Sequence, residues 1–429
     1  MSGLAWYCLF LLAFMFIGVP IAYSLLGSTW IYIVFFSKLS MIAACKQIIT
    51  GVNSFTLLAL PFFILLGEML TKAGLTTRLV NIAKALVGHM KGALAQVNIV
   101  GSMLLAGVQG AASSDTAAVG GMLIPAMVED GYDSAYAAVV TACSSSIGPM
   151  IPPSLTMVVL GSVSGISVGR GFLGGAIPGI MLGLFMMVYA SLKARKNAKY
   201  CGSNEPFTWK ALWEALKAGW MAIFIPLIVV GGIAFGVFTP TESGTFAVLA
   251  TIFLGMVVYR SLTFKGLMEC CVATIKTLGN ILPIVAAAAA FGWILTREGA
   301  VEALSELLLG ITSSPIVLLM IMAVIYLIAG CFVETLALVI LFVPIFAPIA
   351  TAAGVDPVHF AVVTVLSLTV GTVTPPLGVC MYMACDIAKI KVEDFVRECI
   401  PFLIPMVACI LLVILVPAIS TFLPNLLMG

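Results

Sequence analysis

The chain has 429 residues, 62% of them hydrophobic and only 9% charged, against roughly 25% charged in soluble globular domains. A net charge of +2 with scattered basic residues excludes the concentrated basic face of a nucleic-acid binder. His89 and His359 lie far apart and the eleven cysteines include no C-x-x-C, so no transition metal, organic cofactor or enzymatic centre is expected in what reads as an all-α polytopic membrane protein.

A span of the bilayer takes about 20 apolar residues. Residues 3–36 are long enough for two short spans turning at Gly18-Val19-Pro20, and no Lys or Arg precedes Lys38, so the basic start of a secretory leader is missing. A third span follows at 53–71, then a stretch at 72–91 with Lys72, Arg78, Lys84, His89 and Lys91 at helical spacing, the pattern of an arm helix lying on the cytoplasmic surface. Residues 93–128 are apolar but dotted with Gly, Ser, Thr and Pro, and read as a re-entrant hairpin. A proline-broken span at 134–163 and a further span at 172–192 complete a first half, 1–192.

The polar segment 193–217 is a cytoplasmic linker, and 218–429 repeats the plan. Spans are expected at 220–238, 243–259 and 271–295, an acidic arm helix at 296–310, a second hairpin at 315–352, a second broken span at 358–388 and a last span at 398–421. Each half thus has five crossings and one hairpin. With the N-terminus outside, 16 of the 20 basic residues fall on the inner side, as the positive-inside rule requires.

An odd number of crossings inverts the second half relative to the first. At an offset of 223, residues 125–178 align on 348–401 with 14 identities in 54 positions, including Gly131/Gly354, Asp133/Asp356, Gly148/Gly371 and Pro152-Pro153/Pro375-Pro376. Shared prolines and glycines at fixed spacing indicate an inverted repeat, the plan of secondary transporters whose helices are interrupted near the midplane. Proline removes a backbone donor and glycine permits unusual dihedrals. The carbonyls so released cannot stay bare in lipid, and they are ready ligands for a cation.

The hairpins carry the ionisable residues. "GVQGAASSDTAAVGGMLIP", Gly107 to Pro125, holds Ser113, Ser114, Asp115 and Thr116, and "AGCFVETLALVILFVP", Ala329 to Pro344, holds Glu334 and Thr335. A charge at membrane depth costs about 2.5–3.5 kcal/mol on insertion scales, which makes Asp115 and Glu334 the leading functional candidates. They do not superpose at the 223 offset, where Asp115 falls on Leu338. Glu242 and Asp386 sit near span ends and read as interfacial.

Together, "SSDTAAVGGMLIPAM", "IGPMIPPS", "GVFTPTESGTFAV" and "GTVTPPLGVCMY" resemble the large membrane subunit of tripartite ATP-independent periplasmic (TRAP) transporters over essentially the whole chain. Where that family often has a glycine-serine-small pattern before the hairpin acid, this chain has Ala112-Ser113-Ser114. The resemblance implies sodium-driven uptake of a small carboxylate across the bacterial inner membrane, the substrate being handed over by a periplasmic binding protein. It also implies a small four-helix membrane subunit, expected as a separate chain because no such segment precedes the first span. The sialic-acid (N-acetylneuraminate) branch is the nearest in motif, with C4-dicarboxylates and sugar acids as rivals, and a sodium/carboxylate symporter that needs no binding protein as the alternative.

The mechanism expected from these readings is an elevator in which hairpins and broken helices move against the remaining spans. One sodium ion is expected near Ser113, Ser114, Asp115, Gly148, Ile151 and Pro153, and another near Glu334, Thr335, Gly371 and Thr374. Ser154, Thr116, Pro152 and Pro376 are expected to face the substrate.

Overall fold

A computed structural model describes residues 3–202 and 206–429, and the regular structure among them is helical, as lipid demands of a chain whose backbone groups must find partners within the segment. Helices α1 (Gly3–Phe16) and α2 (Ile21–Phe35) turn at Gly18, whose φ of +89° lies in the left-handed region. Next come α3 (Met41–Val52), α4 (Ala59–Lys72) and α5 (Leu75–Val87), then the pair α6 (Ala93–Gln109) and α7 (Ala112–Glu129). The broken span is α8 (Ser134–Ser145) and α9 (Leu155–Ser164), followed by α10 (Val168–Lys196). In the second half α11 (Trp209–Ala234), α12 (Pro240–Phe253), α13 (Phe264–Arg297) and α14 (Ala300–Ile311) lead to the pair α15 (Pro315–Gly330) and α16 (Thr335–Ala352). The second broken span is α17 (Pro357–Gly371) and α18 (Val379–Ala388), and α19 (Val392–Leu415) and α20 (Ala418–Met428) end the chain.

Several boundaries differ from the sequence reading. The arm expected as one helix over 72–91 is the end of α4 plus α5, separated at Gly74 with φ +71°. The linker is shorter than 193–217, because α10 runs on to Lys196 and α11 starts at Trp209 behind a Thr208 cap. The stretch around Lys46 forms α3, capped by Ser40. The last apolar run is two helices, divided at Pro417, whose ring disfavours helical geometry in the residue before it.

Six helices among the described residues are long and apolar enough to cross a membrane, or eight if two sharply bent pairs each count as one. Four of the ten expected crossings rest on shorter pieces. With 14 and 15 residues, α1 and α2 rise only about 21–23 Å at 1.5 Å per residue, short of a hydrocarbon core of about 30 Å. The other two are the broken pairs. Conversely α16, expected as a hairpin arm, qualifies by its 18 residues and mean hydropathy of 2.3.

The element bounds follow the sequence offset. Shifting Ala112–Glu129 by 223 gives 335–352, the bounds of α16, and shifting Ser134 gives Pro357, the start of α17. Cis bonds join Pro152 to Pro153 and Pro375 to Pro376, again 223 apart. Two packed bodies result. The hairpins and broken helices pack on one another and on α10, α19 and α20, whereas α13 packs on α2, α3 and α4, α12 on α4, and α11 on α5. The bodies, here called the core and the frame, meet along α6, which packs on α5 and α4, and also where α4 touches α9, α11 touches α10 and α13 touches α16. Thus α10 and α19, expected among the scaffold spans, belong with the core by their packing.

Candidate functional site

Each break forms where the sequence withdraws helix-forming groups. After α8 the chain turns through Gly148 and Pro149, Pro152 and Pro153 supply no backbone donor, and α9 restarts when the Ser154 hydroxyl accepts from Met157 N at 3.2 Å. After α17 the chain passes Pro375-Pro376 and restarts at Gly378, where no side chain caps α18.

A hairpin tip closes on each break at distances that only glycine allows. Gly110 has φ +62°, and a Cβ there would stand 2.9 Å from Leu155 N and 3.3 Å from Pro153 O. One added at Gly107 would be 3.2 Å from Pro152 O, whereas one at Gly148 would make ordinary contact with Ala111 O at 3.6 Å. In the second half the two backbones touch, since a Cβ on Gly330 would lie 2.8 Å from Gly371 Cα and one on Gly371 would lie 2.7 Å from Gly330 Cα.

Asp115 lies in the first turn of α7, fully buried, with neither carboxylate oxygen hydrogen-bonded. The hydroxyls of Ser102 on α6 and Ser145 on α8 stand beside it, each with a well-placed acceptor elsewhere, Ser144 Oγ at 3.1 Å and Thr141 O at 2.8 Å. A carboxylate without a donor or a cationic neighbour in such surroundings is costly. The side chains beside it offer oxygen alone, a donor type suited to a hard cation. Glu334, at the N-terminus of α16, is half-buried and faces the Ser113 hydroxyl of the other hairpin.

Residues 8–419 match the family described as "Tripartite ATP-independent periplasmic transporter, DctM component". The chain belongs to this family. Among TRAP relatives it is 36% identical to the sialic acid TRAP transporter large permease protein SiaM of Vibrio cholerae serotype O1, over 97% of both chains. It is 32% identical to the C4-dicarboxylate TRAP transporter large permease protein DctM of Rhodobacter capsulatus, over 97% of this chain and 98% of that one. It matches the sialic acid TRAP transporter permease protein SiaT of Haemophilus influenzae at 34%, over 97% of this chain but 67% of the longer relative. The YdaH transporter of Alcanivorax borkumensis shares the fold, with a TM-score of 0.59 at 14% identity over 88% of this chain and 89% of that one. A TRAP large permease is a multi-pass membrane transport subunit and not an enzyme.

In this TRAP permease the residues expected in two separate ion sites are not cleanly separated, because Ser113 of the first set faces Glu334 of the second. Gly148 and Pro153 are buried, Ile151 and Thr374 half-buried, Gly371 and Thr335 buried, and Ser114 exposed. The Thr335 hydroxyl has no partner, while Thr374 donates to Val370 O at 2.8 Å. Of the expected substrate residues only Pro376 is exposed. Thr116 donates to Ala112 O at 2.9 Å, Pro152 is buried behind Gly107, and the Ser154 hydroxyl is engaged in its own turn, donating to Pro149 O at 2.5 Å. Sequence reasoning missed Asn98, Ser102, Ser144 and Ser145. The signal available was Asn98 and Ser102 four apart, hence on one face of an apolar helix.

Two cavities, of about 350 and 690 Å³, open at the other end of α9. Arg170, Asp356 and Ser167 line the smaller, and Phe55, Ser162, Thr239 and Glu242 are among the lining of the larger, which lies between core and frame.

Proposed function

We propose that this chain carries out sodium-coupled uptake of a small organic acid, sialic acid in first place, across the bacterial inner membrane with its N-terminus on the periplasmic side. Asp115 carries the reading. A fully buried carboxylate lacking any hydrogen bond calls for a counter-charge, and a transported cation held by oxygens supplies it. Ser113, Ser114, Gly148, Ile151 and Pro153 would surround that first ion, and Glu334, Thr335, Gly371 and Thr374 a second. The substrate carboxylate would lie between the two breaks, beside the exposed Pro376 and the N-terminus of α18, where the helix dipole favours an anion.

The choice of sialic acid is supported by the 36% identity to SiaM over 97% of both chains. C4-dicarboxylate is the second reading, supported by the 32% identity to DctM. The partners would be a separate small membrane subunit and a periplasmic binding protein, in keeping with the tripartite family description.

Movement would follow an elevator, with residues 1–192 and 218–429 as inverted halves about the linker. The contact between core and frame supports sliding. Gln96 bonds Met187 and Ser191, Arg170 bonds Asn425, and Lys193 pairs with Glu398 inside the core. Lys72 pairs with Glu269, and Arg78 bonds Ala218 O, inside the frame. Between the bodies lie apolar contacts such as the Phe63–Phe172 ring pair at 6.1 Å and a weak bridge from Ser162 to Ser54 at 3.3 Å. Apolar packing lacks the directionality of hydrogen bonds.

The test is uptake of labelled sialic acid into proteoliposomes holding this chain and its small subunit, with binding protein and an inward sodium gradient added separately. Uptake that needs both supports the reading. Uptake of a dicarboxylate but not of sialic acid under the same conditions replaces only the substrate, and uptake indifferent to sodium refutes the coupling.

A further inference from the structure

We infer that Ser102 and Ser145 complete the cation site at Asp115, and that Ser144, held beside Asn98, positions Ser102 by drawing its hydroxyl proton away from the carboxylate. This rests on the sodium reading above. Asn98, Ser102, Asp115, Thr141, Ser144 and Ser145 are all fully buried, so every donor and acceptor must be accounted for.

The bond network orients the hydroxyl protons and the amide. Thr141 donates to Ala137 O at 2.9 Å, so its oxygen is free to accept from Asn98 Nδ2 at 2.7 Å. The amide is thereby oriented with Oδ1 toward Ser144, whose one proton has two acceptors in reach, Asn98 Oδ1 and Thr141 O, each at 3.0 Å. The Ser144 oxygen in turn accepts the Ser102 proton at 3.1 Å. Independently, Ser145 donates to Thr141 O at 2.8 Å.

A hydroxyl has one proton. Ser102 and Ser145, the two that stand beside Asp115, have therefore given theirs elsewhere and turn only lone pairs to a carboxylate that itself receives no donor. A buried cluster made of acceptors alone is unfavourable until a cation enters it or the carboxyl takes up a proton, and a sodium-dependent response separates the two. One carboxylate charge with neutral oxygens balances a monovalent, oxygen-coordinated cation, which is the ligand class assigned here. The arrangement belongs to one half alone, because at the 223 offset Asn98, Ser102 and Asp115 become Ile321, Ile325 and Leu338.

The experiment is the thermal-unfolding midpoint of the purified chain with its small subunit, titrated with sodium chloride against choline chloride at constant ionic strength. A ligand bound by the folded state alone raises the midpoint with its concentration. In Ser144→Ala the Ser102 proton loses its acceptor and can turn to Asp115, where it competes with the ion. Loss of one such hydrogen bond predicts a sodium half-effect about 3- to 10-fold higher. Ser102→Ala, which removes a ligand, is expected to shift it at least as far, and Ser144→Thr, which retains the hydroxyl, to restore the wild-type dependence.

If both alanine variants stay within about twofold of wild type while Asp115→Asn abolishes the sodium effect, the serines are bystanders and the inference is overturned with the sodium reading intact. A lower midpoint without sodium but an unchanged sodium dependence means a packing role and overturns it too. If Asp115→Asn keeps the full sodium effect, the ion is elsewhere and both readings fall.

Discussion

Replacing Gly330 by alanine tests the idea that hairpin tip and helix break form one rigid joint. A Cβ at that position would stand 2.6 Å from Leu368 O and 2.8 Å from Gly371 Cα. Both neighbours are backbone of a fully buried helix end, so neither can swing aside as a side chain would. Overpacking of this kind costs about 1–3 kcal/mol, which corresponds to a fall of about 5- to 150-fold in the population of the closed joint. Gly231 is the control, because a Cβ there meets nothing within 4 Å. Thermal unfolding of the purified chain with its small subunit and sodium-driven uptake in proteoliposomes would be measured on both variants. Gly330→Ala should lose uptake and melt lower, whereas Gly231→Ala should match wild type in both. Wild-type uptake and midpoint in Gly330→Ala would show that the tip can part from the break without consequence, and the joint would have no role.

Three further outcomes are expected. Ser154→Ala removes the α9 cap and leaves Pro149 O without its donor, so the chain should lose about 1 kcal/mol of stability while KM for the substrate stays put; a raised KM would place the hydroxyl on the substrate instead. Lys193 pairs with Glu398, at side-chain exposures of 14% and 23%, and lies over the rings of Tyr136 and Tyr200. Lys193→Met alone should therefore cost about 1–3 kcal/mol by stranding the carboxylate, and Glu398→Gln in the same chain should recover part of it, read from a double-mutant cycle of unfolding midpoints. Finally, Ser54→Cys with Ser162→Cys, in a background freed of the exposed Cys8 and Cys45, should crosslink frame to core and trap transport, with a yield that changes with sodium and substrate. A yield indifferent to both would count against sliding.

Much of the backbone plan was legible because proline and glycine act locally. Gly148, Pro152 and Pro153 marked the first break and their equivalents 223 residues on marked the second. Asp133 and Asp356, paired by the same offset, each cap the next helix by accepting from two backbone amides. Pro417 carried the division of the last apolar run and was passed over. Less could be read of α3, because its 12 residues are too few for a span and carry Lys46 and Gln47 at their middle.

The site itself was only half legible. Asp115 and Glu334 announced themselves as acids in apolar surroundings, a property of composition alone. That Ser113 would face Glu334, 221 residues away in sequence, depends on the two hairpin tips meeting in space. That Ser102 and Ser145 would turn lone pairs toward Asp115 depends on where three hydroxyl protons go, and residue identity does not fix a proton's direction.

The isolation of the Asp115 carboxylate also bears on leak. An ion-free core that shifted across the membrane would drag an uncompensated negative charge through low-dielectric surroundings, where even permissive scales put the penalty for a central aspartate at about 2.5–3.5 kcal/mol. Loaded with one monovalent cation the same body is neutral at that point and the barrier disappears. Since each 1.4 kcal/mol is a factor of ten, an empty excursion would be suppressed by about two orders of magnitude relative to a loaded one. Electrostatics alone would then favour the loaded crossing over the empty one, as long as the carboxyl stays unprotonated.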